Sequence, residues 1–128
     1  MRLLESGEMY LETILVLSQK MKLVRAIDVG EHMGYSKPSV SRALANLREG
    51  GYVTVDNDGH LSLTKSGLDI ANKIYERHRV LSTLLIQIGV PEDIAVSDAC
   101  KMEHDISQGT FEKMKAWLED HPKKMEKN

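Results

Sequence analysis

Gly34-Tyr35-Ser36-Lys37-Pro38-Ser39-Val40-Ser41-Arg42 reads as the end of one helix and the start of the next. Gly34 is a helix stop. Ser36 can cap a new helix, and Pro38 fits its first turn, where the missing N–H costs nothing. Val40, Leu44 and Leu47 then recur at helical spacing and give that helix an inward face. Lys37, Ser41 and Arg42 face elsewhere. Two helices joined by so tight a turn leave the second standing out from the body.

Outward from this turn the pattern continues in both directions. Before it, Ala26–Met33 reads as a short helix and residues 20–23 as a polar connection. Residues 6 to about 18 read as a first helix, with Ser6 as its cap and Met9, Ile14 and Leu17 near one stripe. After it, Gly50-Gly51 stops the protruding helix. Two β-prone runs, 52–55 and 61–63, flank an Asp58-Gly59 turn and predict a hairpin. Thr64 then caps a long helix carrying Ile70, Ile74, Leu81, Leu85 and Ile88, which ends at Gly89-Val90-Pro91. Two further helices are expected at about 97–106 and 110–120, the last with Phe111, Met114 and Leu118 on one face. A charged, fraying tail closes the chain. The expected fold class is mainly α: a winged helix-turn-helix over 1–64, then a helical domain over 65–128.

At 128 residues the chain suits one domain, or a small reading unit with a helical extension. Its hydrophobic content of 41% supports a real core, although aromatics are only 5%. The net charge is −2, so the whole chain does not advertise nucleic-acid binding. The distribution says more. Residues 1–79 hold 11 basic against 10 acidic side chains, and 80–128 hold 6 against 9. Residues 36–48 carry Lys37, Arg42 and Arg48 and no acid, a local basic face that can meet phosphate. The single cysteine, Cys100, excludes an internal disulfide and fits a reducing cytosol. No signal peptide or membrane span is expected. The expected location is cytoplasmic.

Helix, short helix, tight turn, helix and hairpin is the order of a winged helix-turn-helix. Small polar and basic residues at the start of a protruding helix can enter a major groove. The candidate DNA-contacting residues are Ser36, Lys37, Pro38, Ser39, Ser41 and Arg42. The same pattern also describes an ordinary three-helix core with a hairpin, in which Ser36 is a cap and Ser41 a solvated hydroxyl.

Cys100-Lys101-Met102-Glu103-His104 is the second constellation. On one helix, positions i, i+3 and i+4 share a face, so Cys100, Glu103 and His104 point one way. Thiolate, carboxylate and imidazole are metal ligands of mixed softness. The competing reading makes Cys100 a small buried hydrophobe and Glu103 and His104 a solvated pair. Three ligands from one helix leave coordination positions to be filled from elsewhere. His78 on the long helix, and Met9 and Glu12 one turn apart on the first, are the distant candidates. Each alone also reads as an ordinary surface or core residue. An enzyme is a poor fit, because the chain has no Gly-rich phosphate loop and no nucleophile-and-base set.

Taken together, the order resembles the diphtheria-toxin-repressor and iron-dependent-repressor family, which includes the manganese transport regulators. The resemblance spans about residues 3–120. It rests on Glu8-Met9-Tyr10-Leu11, Ser36-Lys37-Pro38-Ser39-Val40-Ser41, Leu63-Thr64-Lys65-Ser66-Gly67, Arg77-His78-Arg79 and Ala99-Cys100-Lys101-Met102-Glu103-His104. It implies a repressor that binds operator DNA as a homodimer. It implies an activating metal site of Met9, Cys100, Glu103 and His104, with His78 at an ancillary site and Glu12 at a position used by the manganese-type members. An ion joining the first helix to the dimerisation helices would select the DNA-competent arrangement. Neither an enzymatic activity, a small-molecule substrate nor a membrane partner is implied.

The chain departs from the iron-type pattern at Ser82, where those members place a Glu, and at 94–98, which lacks their His. It is also expected to end without their SH3-like third domain. Its length matches the manganese type and its Met9 and Cys100 the iron type. Thioether and thiolate ligands disfavour Mn²⁺, so Fe²⁺ is the expected effector, with Mn²⁺ the alternative. Co²⁺, Ni²⁺ or Zn²⁺ are expected to bind in vitro.

Overall fold

In the computed structural model, which describes residues 5–121, the turn at Gly34 adopts φ 74°, a left-handed conformation that ends one helix without a Cβ penalty. The helix it ends is α2, Ala26–Met33, and the helix that follows is α3, Lys37–Glu49. Ser36 caps α3, its hydroxyl accepting from the Ser39 amide at 3.4 Å, and Pro38 sits in the first turn. Val40, Leu44 and Leu47 are buried, as their spacing predicts.

α1, Glu5–Lys20, precedes these helices, and a strand too short to predict, β1, Val24–Arg25, joins α1 to α2. Ser6 therefore lies inside the first turn of α1 and is not its cap. The buried side of α1 is broader than the predicted stripe, including Tyr10, Leu11, Ile14, Leu15 and Leu17, while Met9 is half-buried. α1 touches α2, α3, β1 and β3, which explains the breadth.

The hairpin is β2, Val53–Val55, and β3, His60–Leu63. β3 is central, in the order β1-β3-β2, and both pairings are antiparallel. Val24 pairs with Leu61 and Val53 with Leu63. The predicted polar connection therefore runs into a strand. Val24 is 2% exposed, and that burial fixes a register no local signal could announce.

α4, Lys65–Gln87, follows directly from the wing. Thr64 caps it as expected, accepting from the Gly67 amide at 3.1 Å. The same hydroxyl donates to the Gly51 carbonyl at 2.7 Å, and the Thr64 amide donates to the Tyr52 carbonyl at 3.0 Å. The start of α4 is thus sewn to the strand entry.

The chain divides into two compact units, Met1–Lys73 and Ile74–Asn128. The second holds the rest of α4, then α5, Glu92–Met102, and α6, Gln108–Asp120. Its buried apolar side chains include Ile74, Leu81, Ala95, Ala99, Phe111 and Leu118. α5 starts five residues before the predicted 97 and ends before 106. Pro91 stands at its N-cap, and Glu92 and Asp93 fill a first turn whose partial positive charge favours acids. Ser107 caps α6, accepting from the Thr110 amide at 3.1 Å, so α6 also begins slightly early. Ile88, predicted on the inward face of α4, is 65% exposed beyond its end. The charged tail from 122 onward lies outside the described residues.

Gly67 is the position where backbone approach is tightest. A Cβ there would sit 2.1 Å from the Tyr52 carbonyl oxygen. An alanine in a helix interior usually stabilises by roughly 0.5–1 kcal/mol over glycine. Here the clash with fixed backbone outweighs that gain, and overpacking costs about 1–3 kcal/mol. Gly67→Ala is therefore expected to lose about 1–3 kcal/mol of unfolding free energy, read by urea denaturation, while the neighbouring exposed Ser66→Ala stays within about 0.5 kcal/mol of wild type.

Candidate metal centre and nucleic-acid interface

The second unit centres on a carboxylate. Glu103 has no exposed surface. Its Oε1 lies 2.9 Å from His78 Nδ1, and its Oε2 lies 3.4 Å from His104 Nε2. His78 comes from α4, and the His104 side chain is 1% exposed.

Glu103 is one residue past the end of α5. Its backbone remains right-handed helical, at φ −61° and ψ −23°, and its amide still donates to the Ala99 carbonyl. After it the chain tightens, and the amides of Asp105 and Ile106 both turn to the Met102 carbonyl. The expected single-helix face is corrected accordingly. Cys100 stands within α5, half-buried, Glu103 continues its spiral for one residue, and His104 belongs to the turn.

The donor set suits a divalent transition ion. Two imidazoles flank one carboxylate, one beside each oxygen, and nitrogen and carboxylate donors of this kind bind first-row metals. Glu103 Oε2 accepts no hydrogen bond among the described residues, although it is buried. A cation would satisfy that oxygen. Of the six predicted ligands, His78, Glu103 and His104 are thus brought together here, with Cys100 one turn earlier on α5. Met9 and Glu12 lie on α1, in the first unit, both half-buried.

The first unit presents the predicted reading face. Ser36, Lys37, Pro38, Ser41 and Arg42 are exposed and Ser39 half-exposed. Ser36 also donates to the Ser39 hydroxyl at 3.0 Å, so these two serines serve the cap as well. A polar hollow lined by Ser6, Tyr35, Ser36, Ser39, Arg42 and Asn46 opens at the start of α3. Ser6, Tyr35 and Asn46 escaped the sequence reading, because nothing local marks them as neighbours of this helix start. An apolar hollow is lined by Ala26, Ile27, Pro38 and Val40. Tyr10 packs near Tyr35, ring centroids 6.0 Å apart, and burial, aided by that neighbour, raises its pKa.

The wing carries a third polar group that the sequence reading took only as a turn. Asp56 Oδ1 accepts from the amides of Asp58 and His60, at 2.9 and 2.8 Å, and Oδ2 meets His60 Nδ1 at 3.1 Å. Ligand-type atoms of Asp56, Asp58 and His60 lie within 4.8 Å of one another. The Asp56 carboxylate is spent on holding the turn.

Comparison with known proteins agrees with this geometry. Residues 2–61 match the N-terminal DNA binding domain of the iron dependent repressors, and residues 64–127 match their metal binding and dimerisation domain. The chain belongs to the iron-dependent repressor family. It is 31% identical to the transcriptional regulator MntR of Salmonella typhimurium, over 88% of this chain and 71% of that one. It is 32% identical to the iron-dependent repressor IdeR of Mycobacterium tuberculosis, over 83% of this chain and 46% of that one. The chain thus spans about half the length of the IdeR relatives. Among solved structures, a manganese-dependent transcriptional repressor in complex with manganese superposes with a TM-score of 0.81, at 28% identity, over 88% of this chain and 52% of that one. The winged-helix, mainly α architecture is therefore that of the family. Among the described residues no helix is long and apolar enough to cross a membrane.

The wing turn has a pH signature. The His60 amide, followed by the His60 side chain and the Asp58 amide, holds the Asp56 carboxyl below the usual carboxylate range. A depressed folded pKa stabilises above the unfolded value, and the contribution fades as pH falls through the folded one. Amide protection factors at Asp58 and His60, with the intrinsic pH dependence of exchange removed, are expected to fall on acidification below the ordinary carboxylate range. Asp56→Ala is expected to show low protection at both amides across the whole range.

Proposed function

We propose that this chain is a metal-activated transcriptional repressor that binds double-stranded operator DNA as a homodimer and responds to Fe²⁺. Residues 1–64 would read DNA, and residues 65–128 would bind metal and dimerise. The observation that carries the reading is the buried Glu103 carboxylate between two imidazoles, in a chain that also presents a capped, basic, protruding helix beside a wing.

Cys100, Glu103 and His104 would hold the activating ion, with His78 beside Glu103 at an ancillary site. Met9 and Glu12 are the ligands that the family resemblance adds from α1. When bound, the metal supplies positive charge to a site whose carboxylate has no exposed surface. Cys100 brings a soft thiolate and Met9 a thioether, which favour Fe²⁺ over the harder Mn²⁺. Lys37 and Arg42 would meet phosphates, with Ser36, Ser39 and Ser41 as hydrogen-bond donors and acceptors. Pro38 and the apolar hollow beside it suit a thymine methyl.

Homodimer formation is supported by apolar surface on the second unit. Ile86, Ile88, Ile94, Val96 and Trp117 are each at least 41% exposed. A soluble domain rarely leaves so many large apolar side chains in water without a partner surface. A two-fold dimer would read half-sites one DNA turn apart, roughly 34–36 Å. Switching it from mostly inactive to mostly active takes a metal preference of about 5.5 kcal/mol for the active state.

A manganese-responsive reading stands second. It is favoured by coverage: the chain spans 71% of the Salmonella MntR but 46% of IdeR.

Fluorescence anisotropy on DNA upstream of its own gene and of nearby metal-transport genes tests the proposal. It is to be run anaerobically, with chelator, Fe²⁺ or Mn²⁺. Tight binding only with metal is expected, strongest with Fe²⁺. Equal binding in chelator would remove metal from the function. Glu103→Gln is expected to weaken metal-activated binding by at least about 100-fold, the upper end of what losing even an outer-shell partner costs. Cys100→Ala is expected to impair the Fe²⁺ response, and Cys100→Asp to shift preference toward Mn²⁺. A normal Fe²⁺ response in Cys100→Ala would exclude the thiolate as a ligand.

A further inference from the structure

We infer that Arg77 is a positioning residue for the metal centre, holding the turn that presents Glu103 and His104. The inference rests on the metal-binding reading above. Arg77 immediately precedes His78 on α4, and the two consecutive side chains grip the same turn. His78 meets the Glu103 carboxylate, while Arg77 meets the Glu103 backbone. Its Nη1 donates to the carbonyl of Glu103 at 3.0 Å and to that of Ile106 at 2.9 Å. Its Nη2 donates to Gln108 Oε1 at 3.0 Å.

The physical need is clear. α5 ends at Met102, and carbonyls past a helix end have no intrahelical donor. Left alone, the 103–107 link would be free to rotate, and Glu103 and His104 with it. One guanidinium nitrogen instead ties two carbonyls of that link together. Gln108 is the first residue of α6, and its own Nε2 donates to Glu112 at 3.0 Å, which fixes its amide so that Oε1 faces Arg77. The guanidinium also lies over the buried Phe111 ring, its central carbon 5.3 Å from the centroid. Arg77 is thereby locked from α6 before it reaches the ligand turn.

A lysine cannot substitute. A single ammonium on a flexible stem lacks the planar fork that reaches two carbonyls and an amide at once, and it does not stack on Phe111 in the same way. Outer-shell partners that orient ligands are worth about 10–100-fold in metal affinity. Arg77→Lys retains charge and length, so its effect isolates the fork.

The test uses Co²⁺ as probe on the full chain under anaerobic conditions. It reads the dissociation constant by chelator competition, the visible absorption band of the bound ion, and the thermal midpoint of the chelated protein. Arg77→Lys is expected to bind Co²⁺ about 10–100-fold more weakly, with an altered band and a chelated midpoint near wild type. Gln108→Ala, at an exposed site, is expected to weaken binding roughly two- to tenfold, the worth of one hydrogen bond. It carries the test if Arg77→Lys fails to fold. Unchanged Co²⁺ affinity and band in a folded Arg77→Lys, or in Gln108→Ala, would overturn the inference and leave Arg77 a packing residue. Wild-type protein that forms no Co²⁺ band, or a band that survives in Glu103→Gln, would instead overturn the metal reading on which it stands.

Discussion

A carboxylate with no access to water is the constraint on which the second unit depends. An ionised side chain taken out of water costs several kcal/mol unless partners return most of it. Glu103 receives His78 on one oxygen and His104 near the other. The arrangement keeps little apolar material in reserve: the described core of this unit is a handful of side chains such as Leu81, Ala99, Phe111 and Leu118. A small apolar core surrounding a buried polar cluster is poor design for stability alone. It would suit a fold whose tightness answers to the proposed cation, because an ion's binding free energy adds directly to that of the folded state.

The first unit solves a different problem. A helix proposed to enter a groove must protrude, yet be aimed. α3 is aimed by its cap at Ser36, by three buried aliphatics and by the glycine turn behind it. The wing is anchored from the opposite side, where Thr64 and Gly67 bring the start of α4 against the backbone of Gly51 and Tyr52. These contacts end on main-chain atoms with fixed directions. They leave the exposed side chains of α3 free of structural duty, apart from the Ser36–Ser39 pair.

Much of this was legible in the residues, and the reason differs from element to element. The turn at Gly34, the caps at Ser36 and Thr64 and the stripe on α3 are local effects, encoded within a few positions of where they act. β1 was invisible because two residues carry no period, and its pairing with β3 is decided by burial across 37 positions. The start of α5 was misplaced because Pro91 reads as a terminator, while the acids behind it make an equally good beginning. Glu103 and His104 were legible with Cys100 from their spacing, whereas His78 gained a role only through resemblance, since a histidine on a helix is ordinary by itself. Arg77 was legible only as part of the Arg77-His78-Arg79 run, not in what it holds, for its partners are 26 to 31 residues away and two are backbone atoms, which any sequence supplies.

Chain position sets an order of assembly. The contacts that close the wing onto α4 span 13 residues, and the pairing of β2 with β3 spans fewer. The grip on Glu103 spans 25 residues or more and is complete only when Gln108 is in place. The first unit's own longest strand pairing, Val24 with Leu61, spans 37 positions, but all of it precedes Gln108, and chains fold as they are made, amino end first. On a ribosome, the module built for reading nucleic acid would therefore be finished while the residues that answer to an ion were still being added. The nascent protein gains its address before it gains its instruction.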